Sequence, residues 1–370
     1  MKNLIVTLLS DQPIPNVQFI KEKRNEESEF LFVSTEKMEK KGVGKWIQNV
    51  CHIKEETTIT IIIEEFSSSD IEKKLNEINY DVFEKIVVNV TGGTKIMSHC
   101  VTEFFKEKPD AEVYYLTGSQ NNLLQVFPKT KQSHRTLSCD LTLKEYVESH
   151  GFEMKESSLS GIDSTYTQGF LQVFLSFSDT ERAIINKLRD FRKPGKSLKI
   201  NVVDGLLDVL CKIDYPTNDE YLTLSKYDIR YLTGDWFEEY IYRHIKQELN
   251  LSDDYIKTGI TLTKQGTPNE FDVVFLWKGN LNTIECKTSI INKIVDEMNI
   301  MNDTIYKATA LQKNLGLYSK FSIFTLSSKE NNELKEAHFK RGDLFNIDVF
   351  GREDIINCQK ITDLLKIKPC

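Results

Sequence analysis

The sequence predicts an α/β protein in two folded units joined by a connector, with a doubly wound parallel sheet first and a mixed α+β unit last. Three observations carry this. Apolar runs at 4–9, 29–33, 57–63, 85–90 and 111–116 are in several cases β-branched without polar alternation, as strands buried on both faces require. Stretches with helical spacing at 17–23, 36–50, 71–78 and 96–105 fall between them, the rhythm of a parallel sheet wrapped by helices. From Thr233 onward the order becomes helix, paired strands, helix, strand, helix, strand, helix.

At 370 residues the chain exceeds one ordinary domain, and an apolar fraction of 40% suffices for a core in each unit. The boundaries read as 1–140, 141–232 and 233–370. After the fifth strand an Asn121–Asn122 turn separates 113–116 from 123–127, a closing hairpin. The polar stretch 141–160, with Gly151, Ser157, Ser158, Ser160 and Gly161 at its end, reads as a linker. An amphipathic helix at 180–192 opens with Ser178, Asp179 and Thr180 as caps. Helical pieces broken by Pro194–Gly195 and Pro216 follow. With no basic recognition helix, this region reads as a small connector rather than a winged-helix reader of nucleic acid. The last unit is a helix at 236–248, a hairpin of 270–277 and 282–288 around Gly279, a long helix to 315, strands at 321–326 and 347–350, and a final helix.

A net charge of −7 argues against a broad grip on long duplex nucleic acid, which favours basic surfaces. Any nucleic acid would meet a local cleft or metal ions that supply positive charge. Cys51, Cys100, Cys139, Cys211, Cys286, Cys358 and Cys370 have no zinc or redox spacing and read as reduced thiols. The apolar stretch 2–10 is shorter than a signal-peptide core and meets Asp11, and no segment is long enough to span a bilayer. A cytoplasmic protein with no membrane partner is expected.

Residues two apart on a strand share a face. Glu270 and Asp272 therefore lie together on one strand of the late hairpin, and Thr283, Glu285 and Lys287 on the other, with Ile284 and Cys286 opposite. Pairing across Gly279 would converge Asp272, Glu285 and Lys287, a group costly to bury unless it binds something. Two carboxylates with the backbone carbonyl of Cys286 form a hard oxygen site for Mg2+ or Mn2+. The chemistry expected is phosphodiester cleavage: the ion polarises the phosphate and acidifies a water, and Lys287 orients that water and meets developing charge. Glu238, on the preceding helix, is a further acid for a second metal or for supporting the first.

The pattern Glu270-Phe-Asp272 … Ile284-Glu285-Cys286-Lys287 resembles the PD-(D/E)xK superfamily of restriction-like endonucleases, and Gly234-Asp-Trp236-Phe-Glu238 resembles the helix that precedes that core. The literal proline–aspartate pair is absent. The resemblance implies a restriction-endonuclease-like domain with Asp272, Glu285, Lys287 and Glu238 as the working residues.

In an open parallel sheet, ligands bind beyond the strand carboxyl ends where the order reverses. The first strand ends in Ser10-Asp11-Gln12-Pro13 and the fourth in Thr91-Gly92-Gly93-Thr94-Lys95, so a 3-2-1-4-5 order sets both loops on one crevice. Gly92 and Gly93 admit close approach, and the helix that starts at once offers free N–H groups suited to phosphate. Neither Gly-x-Gly-x-x-Gly nor a Walker Lys-Ser/Thr is present, which disfavours dinucleotide and NTPase sites.

These loops resemble those of CARF (CRISPR-associated Rossmann-fold) domains. A CARF domain followed by a PD-(D/E)xK nuclease resembles the cyclic-oligoadenylate-activated ancillary nucleases of type III CRISPR systems. The resemblance implies a homodimer that binds one cyclic oligoadenylate, usually the tetra-adenylate, across its twofold axis as allosteric activator. Cleavage of single-stranded DNA or RNA, or nicking of duplex DNA, with Mn2+ or Mg2+ then follows. Ser10, Asp11, Gln12, Thr91, Gly92, Gly93, Thr94 and Lys95 are the ligand-binding candidates. Two other readings remain: a constitutive restriction- or transposition-type nuclease, and a non-catalytic ligand-sensing regulator. His99 and His244, within helices, are expected as packed or capping residues. Tyr306 and Gln312 follow on the next helix, facing either substrate or the helix surface.

Overall fold

The strands of the first unit run in the predicted order. In the computed structural model, which describes residues 2–117, 122–130, 134–157, 162, 164–192, 197–215, 223–289, 299–317 and 319–367, they are β1 (Asn3–Leu8), β2 (Glu29–Ser34), β3 (Thr58–Ile62), β4 (Lys85–Asn89), β5 (Ala111–Thr117), β6 (Asn122–Phe127) and β7 (His134–Thr136). They form one sheet ordered β3-β2-β1-β4-β5-β6-β7. The first five are parallel, and β6 and β7 add antiparallel at the edge. β1 is fully buried from Leu4 to Leu8, as its unbroken apolar run requires. The helix expected over 36–50 is two helices, Glu36–Lys41 and Val43–Cys51, broken at Gly42.

Helices cover both faces. Val17, Phe19 and Ile20 of helix Ile14–Lys23 pack with Ile5 on one side. Ile71, Leu75, Val101 and Phe105, from helices Ser68–Asn76 and Lys95–Lys106, pack with Leu4 and Val6 on the other.

The stretch expected as a linker is in part built structure. Thr142 caps helix Leu143–Ser149 in a reciprocal box with Glu145. Strand β8 (Glu153–Lys155) then joins the second sheet. The segment is polar by composition, yet Leu143, Tyr146 and Val147 fall at helical spacing and are buried. The middle region folds as helices Ser164–Leu175, Asp179–Lys187, Leu206–Lys212 and Lys226–Arg230, with a short ladder of β9 (Leu198–Lys199) and β10 (Thr223–Leu224). The expected helix at 180–192 tightens after Lys187 into a 3-10 turn, Leu188–Phe191.

The second sheet contains β11 (Ile256–Lys264), β12 (Thr267–Trp277), β13 (Asn280–Lys287), β14 (Lys320–Thr325) and β15 (Ile347–Phe350), ordered β15-β14-β13-β12-β11-β8. β11 was not foreseen: its half-exposed lysines and threonines hide a strand whose buried residues are Ile256, Ile260 and Leu262. Helix Trp236–Glu248 and the middle region pack on one face through Trp236, Phe237, Ile241, Val273, Phe275 and Ile284. The other face shares a core with the first unit, in which Leu143, Tyr146 and Phe152 join Ile260, Leu262 and Val274. At this junction the Leu143 N–H donates to the Asp254 carbonyl at 2.8 Å, and the Tyr146 hydroxyl to the Leu315 carbonyl at 3.1 Å. Among the described residues, no helix is long and apolar enough to cross a membrane.

Candidate functional site

The antiparallel register of β12 and β13 sets Val273 opposite Ile284, and one further step brings Asp272 level with Glu285. Ile284 and Cys286 point into the core beneath helix Trp236–Glu248. Strand alternation therefore turns Glu285 and Lys287 to the other face. Asp272 is anchored by the Cys286 N–H, which donates to Oδ2 at 2.7 Å. Lys287 Nζ donates to Glu285 Oε1 at 2.6 Å, lies 3.3 Å from the Cys286 carbonyl and stands 3.6 Å from Asp272 Oδ2. Three oxygens thus converge on one cation.

The electrostatics are those of crowded acids. Burial, and then the neighbouring Glu285, push the Asp272 carboxyl up to about 6. Burial, followed by Asp272 and Asp235, raises Glu238 well above the carboxylate range. Burial opposes the charge on Lys287, but Asp272 and Glu285 together outweigh it and hold the ammonium charged. Carboxylates this reluctant to ionise are eased by a cation. The donors fit a hard divalent ion: two carboxylates and a carbonyl meet where an ammonium sits. Among the described residues no three His, Cys, Asp or Glu side chains form a metal-binding group. Water and phosphate oxygens would complete the coordination, as Mg2+ ordinarily allows.

Glu238 stands in the first turn of helix Trp236–Glu248, close enough to Asp272 and Lys287 to feel their charges. Beside it Asp235 pairs with Arg230 at 2.9 Å and Arg192 at 3.6 Å. Tyr306 packs edge-on to Phe345, and the Gln312 amide donates to the Ser319 carbonyl at 3.0 Å, so both belong to the helix surface. Two cations were missed. Lys307 Nζ lies 3.9 Å from Glu285 Oε1, and Arg189 donates to Thr288 Oγ1 at 2.9 Å. The signal for Lys307 was its place on the helix after the Glu-x-Lys strand; Arg189 lies 99 residues from its partner and gave none.

In the first unit, a cavity of about 430 Å³ opens over the carboxyl end of β4. Thr91, Gly92, Gly93, Thr94 and Lys95 line it, with Ser98, His99, Thr102, Lys106 and Tyr115. A Cβ on Gly92 would sit 2.3 Å from the Leu8 carbonyl, and Gly93 has φ +74°, so the loop needs glycine at both places. Thr94 caps helix Lys95–Lys106 through the Met97 N–H and donates to the Glu65 carbonyl. Thr91 is held by Asn89 Oδ1 at 2.6 Å and accepts from the Leu116 N–H at 2.7 Å. Beneath it Thr7, Asn16 and Asn89, fully buried, bond to one another at 2.7–3.2 Å and tie the ends of β1 and β4 together.

The loop after β1 divides. Ser10 lies against Gly92, 3.2 Å from a Cβ placed there. Asp11 turns to Lys37 and Lys41, whose charges outweigh burial and hold its carboxyl low. Gln12 Oε1 accepts from the Leu317 N–H at 3.1 Å, a contact with the second unit. Asp11 and Gln12 thus do not line this cavity, whereas His99, expected as packed or capping, is exposed and does. His244 remains on its helix, paired with Glu248 at 3.5 Å.

The Card1 CARF domain model matches residues 4–146, and the Card1-like endonuclease domain model matches residues 225–363. No curated protein matches the chain. Its fold is similar to that of Can2 from Sulfobacillus thermosulfidooxidans, solved in complex with cyclic tetra-adenylate. The two are 22% identical with a TM-score of 0.68, over 94% of this chain and 95% of that one. VC1899 from Vibrio cholerae is 15% identical with a TM-score of 0.73, over 98% and 96%. A type III CRISPR defence DNA nuclease activated by cyclic oligoadenylate is 15% identical with a TM-score of 0.53; the match takes 88% of this chain but 45% of that one.

Proposed function

The chain joins a Card1 CARF domain to a Card1-like endonuclease domain, and from that pairing we propose a metal-dependent endonuclease gated by a cyclic oligoadenylate in type III CRISPR defence. The observation that carries the reading is the oxygen cluster of Asp272, Glu285 and the Cys286 carbonyl around Lys287, within the segment that the endonuclease model matches. The gate is supported by the glycine-walled cavity at the start of helix Lys95–Lys106 and by the likeness to Can2, solved with cyclic tetra-adenylate.

In this mechanism Asp272, Glu285 and the Cys286 carbonyl would hold a Mn2+ or Mg2+ ion. When bound, the ion polarises the scissile phosphate and acidifies an attacking water. Lys287 would leave its place between the carboxylates, orient the attacking water and meet the charge that builds on the phosphate. Glu238 supports the metal cluster or takes part in a second site. In the CARF domain, Gly92, Gly93, Thr94 and Lys95 bind activator phosphate, with Ser10 beside Gly92. Two copies across a homodimer axis would face a ring that repeats the same chemistry. An acidic protein with a local cleft suits single-stranded DNA or RNA better than a long duplex.

The test is cleavage of labelled single-stranded DNA, single-stranded RNA and supercoiled plasmid with Mn2+, with and without cyclic tetra-adenylate, beside a Glu285→Ala control. Cleavage that needs the activator and is lost in the control is expected. Equal cleavage without activator would leave a constitutive nuclease and remove the gate.

A further inference from the structure

A strand of nucleic acid approaching this site meets a chain of net charge −7 and a cluster of acids, so local cations must supply the attraction. Lys287 is engaged with Glu285 at 2.6 Å. Arg192 and Arg230 are engaged with Asp235 at 3.6 and 2.9 Å. Two cations differ. Lys307, on helix Asn299–Gln312, makes a long 3.9 Å pair with a Glu285 that Lys287 already holds, and its side chain is 46% exposed. That helix seats Met301, Ile305 and Ala308 in the core, which fixes where Lys307 is presented. Arg189, in the turn Leu188–Phe191, donates to the neutral hydroxyl of Thr288, one residue beyond Lys287. An ion that drew on Glu285 would weaken its hold on Lys307 further, and among the described residues Arg189 meets a neutral hydroxyl rather than an acid.

We propose that Lys307 and Arg189 bind the backbone phosphates that flank the scissile one. Arg189 then makes the region before the endonuclease domain one wall of the substrate cleft. The inference rests on the nuclease reading and assigns it two substrate-binding residues. A purely structural role is the competing account, and it is a weak one because exposed ion pairs add little to stability.

The test uses full-length protein with Mn2+ and cyclic tetra-adenylate, cutting a labelled single-stranded oligonucleotide across a salt series. Lys307→Met and Arg189→Met should each raise KM about tenfold, the loss of one charged contact. They should change kcat little and flatten the slope of log(kcat/KM) against log salt by about 0.7. Lys307→Arg and Arg189→Lys should restore most of KM, and they keep the assay readable should a neutral variant fold poorly. A wild-type KM and salt slope in the neutral variants would overturn the proposal while leaving the nuclease standing, as would an effect confined to kcat. Wild-type protein that cuts nothing would remove both.

Discussion

In the proposed mechanism Lys287 has two roles that pull in opposite directions. Without a divalent ion it is the cation on which Asp272, Glu285 and the Cys286 carbonyl converge. With one bound, the proposed mechanism would have it give way and turn to the phosphate. Lys287→Met should therefore lower kcat by about 10²–10³-fold, the loss of one transition-state donor. Its divalent-ion affinity, by titration calorimetry, should hold or increase, because the competing ammonium has gone. A large loss of affinity would show instead that Lys287 organises the carboxylates. The glutamate and lysine could be read from their alternation on an apolar strand. Lys307 could not, because its meeting with Glu285 depends on how a helix crosses the sheet.

At the scale of elements, the loop from Thr91 to Lys95 is shaped by the ends of two strands rather than by its own residues. Asn89 closes β4 with its amide on Thr7 and Asn16 and its carbonyl holding Thr91. Buried polar groups stripped of partners each cost about 1–3 kcal/mol. Asn89→Ala should destabilise the protein by about 2–4 kcal/mol in urea unfolding, with activator binding weakened as Thr91 loosens. Unchanged stability would mean that water replaces the amide. The parallel order of β1 to β5 was legible because buried strands and helices alternate so regularly. β8 and β11 were not: the first is three residues long, and the second carries polar residues along its half-exposed positions.

Across the whole molecule, the two units share one core, and His150 lies in it. His150 is 3% exposed, Nδ1 is 3.0 Å from the Tyr146 carbonyl, and Nε2 lies beside Gly316 of the endonuclease domain. Burial, with Lys264 nearby, pushes its pKa from the ordinary 6.5 down to about 4, so the folded state refuses a proton that the unfolded chain accepts. The stability this group allows is complete above pH 6.5 and is lost as pH falls toward 4, about 3 kcal/mol in all. Between pH 7 and 5, wild-type protein should lose about 2 kcal/mol more than a His150→Gln variant in urea unfolding. Equal losses would place the pH dependence elsewhere.

The sequence by itself determined what is written in local periods. Those are the doubly wound first sheet, the glycine loop that opens helix Lys95–Lys106, and the face shared by Glu285 and Lys287. These follow from the two- and 3.6-residue repeats and from the conformations that glycine alone adopts easily. Only the tertiary structure decided which loops touch and which cations reach the acids. It turned Gln12 onto Leu317 and Asp11 onto Lys37 and Lys41, presented His99 to the cavity, and brought Arg189 to Thr288. The physical reason is that these contacts join residues far apart in the chain. Their pairing is set by the packing of helices and sheets, which short sequence periods do not encode.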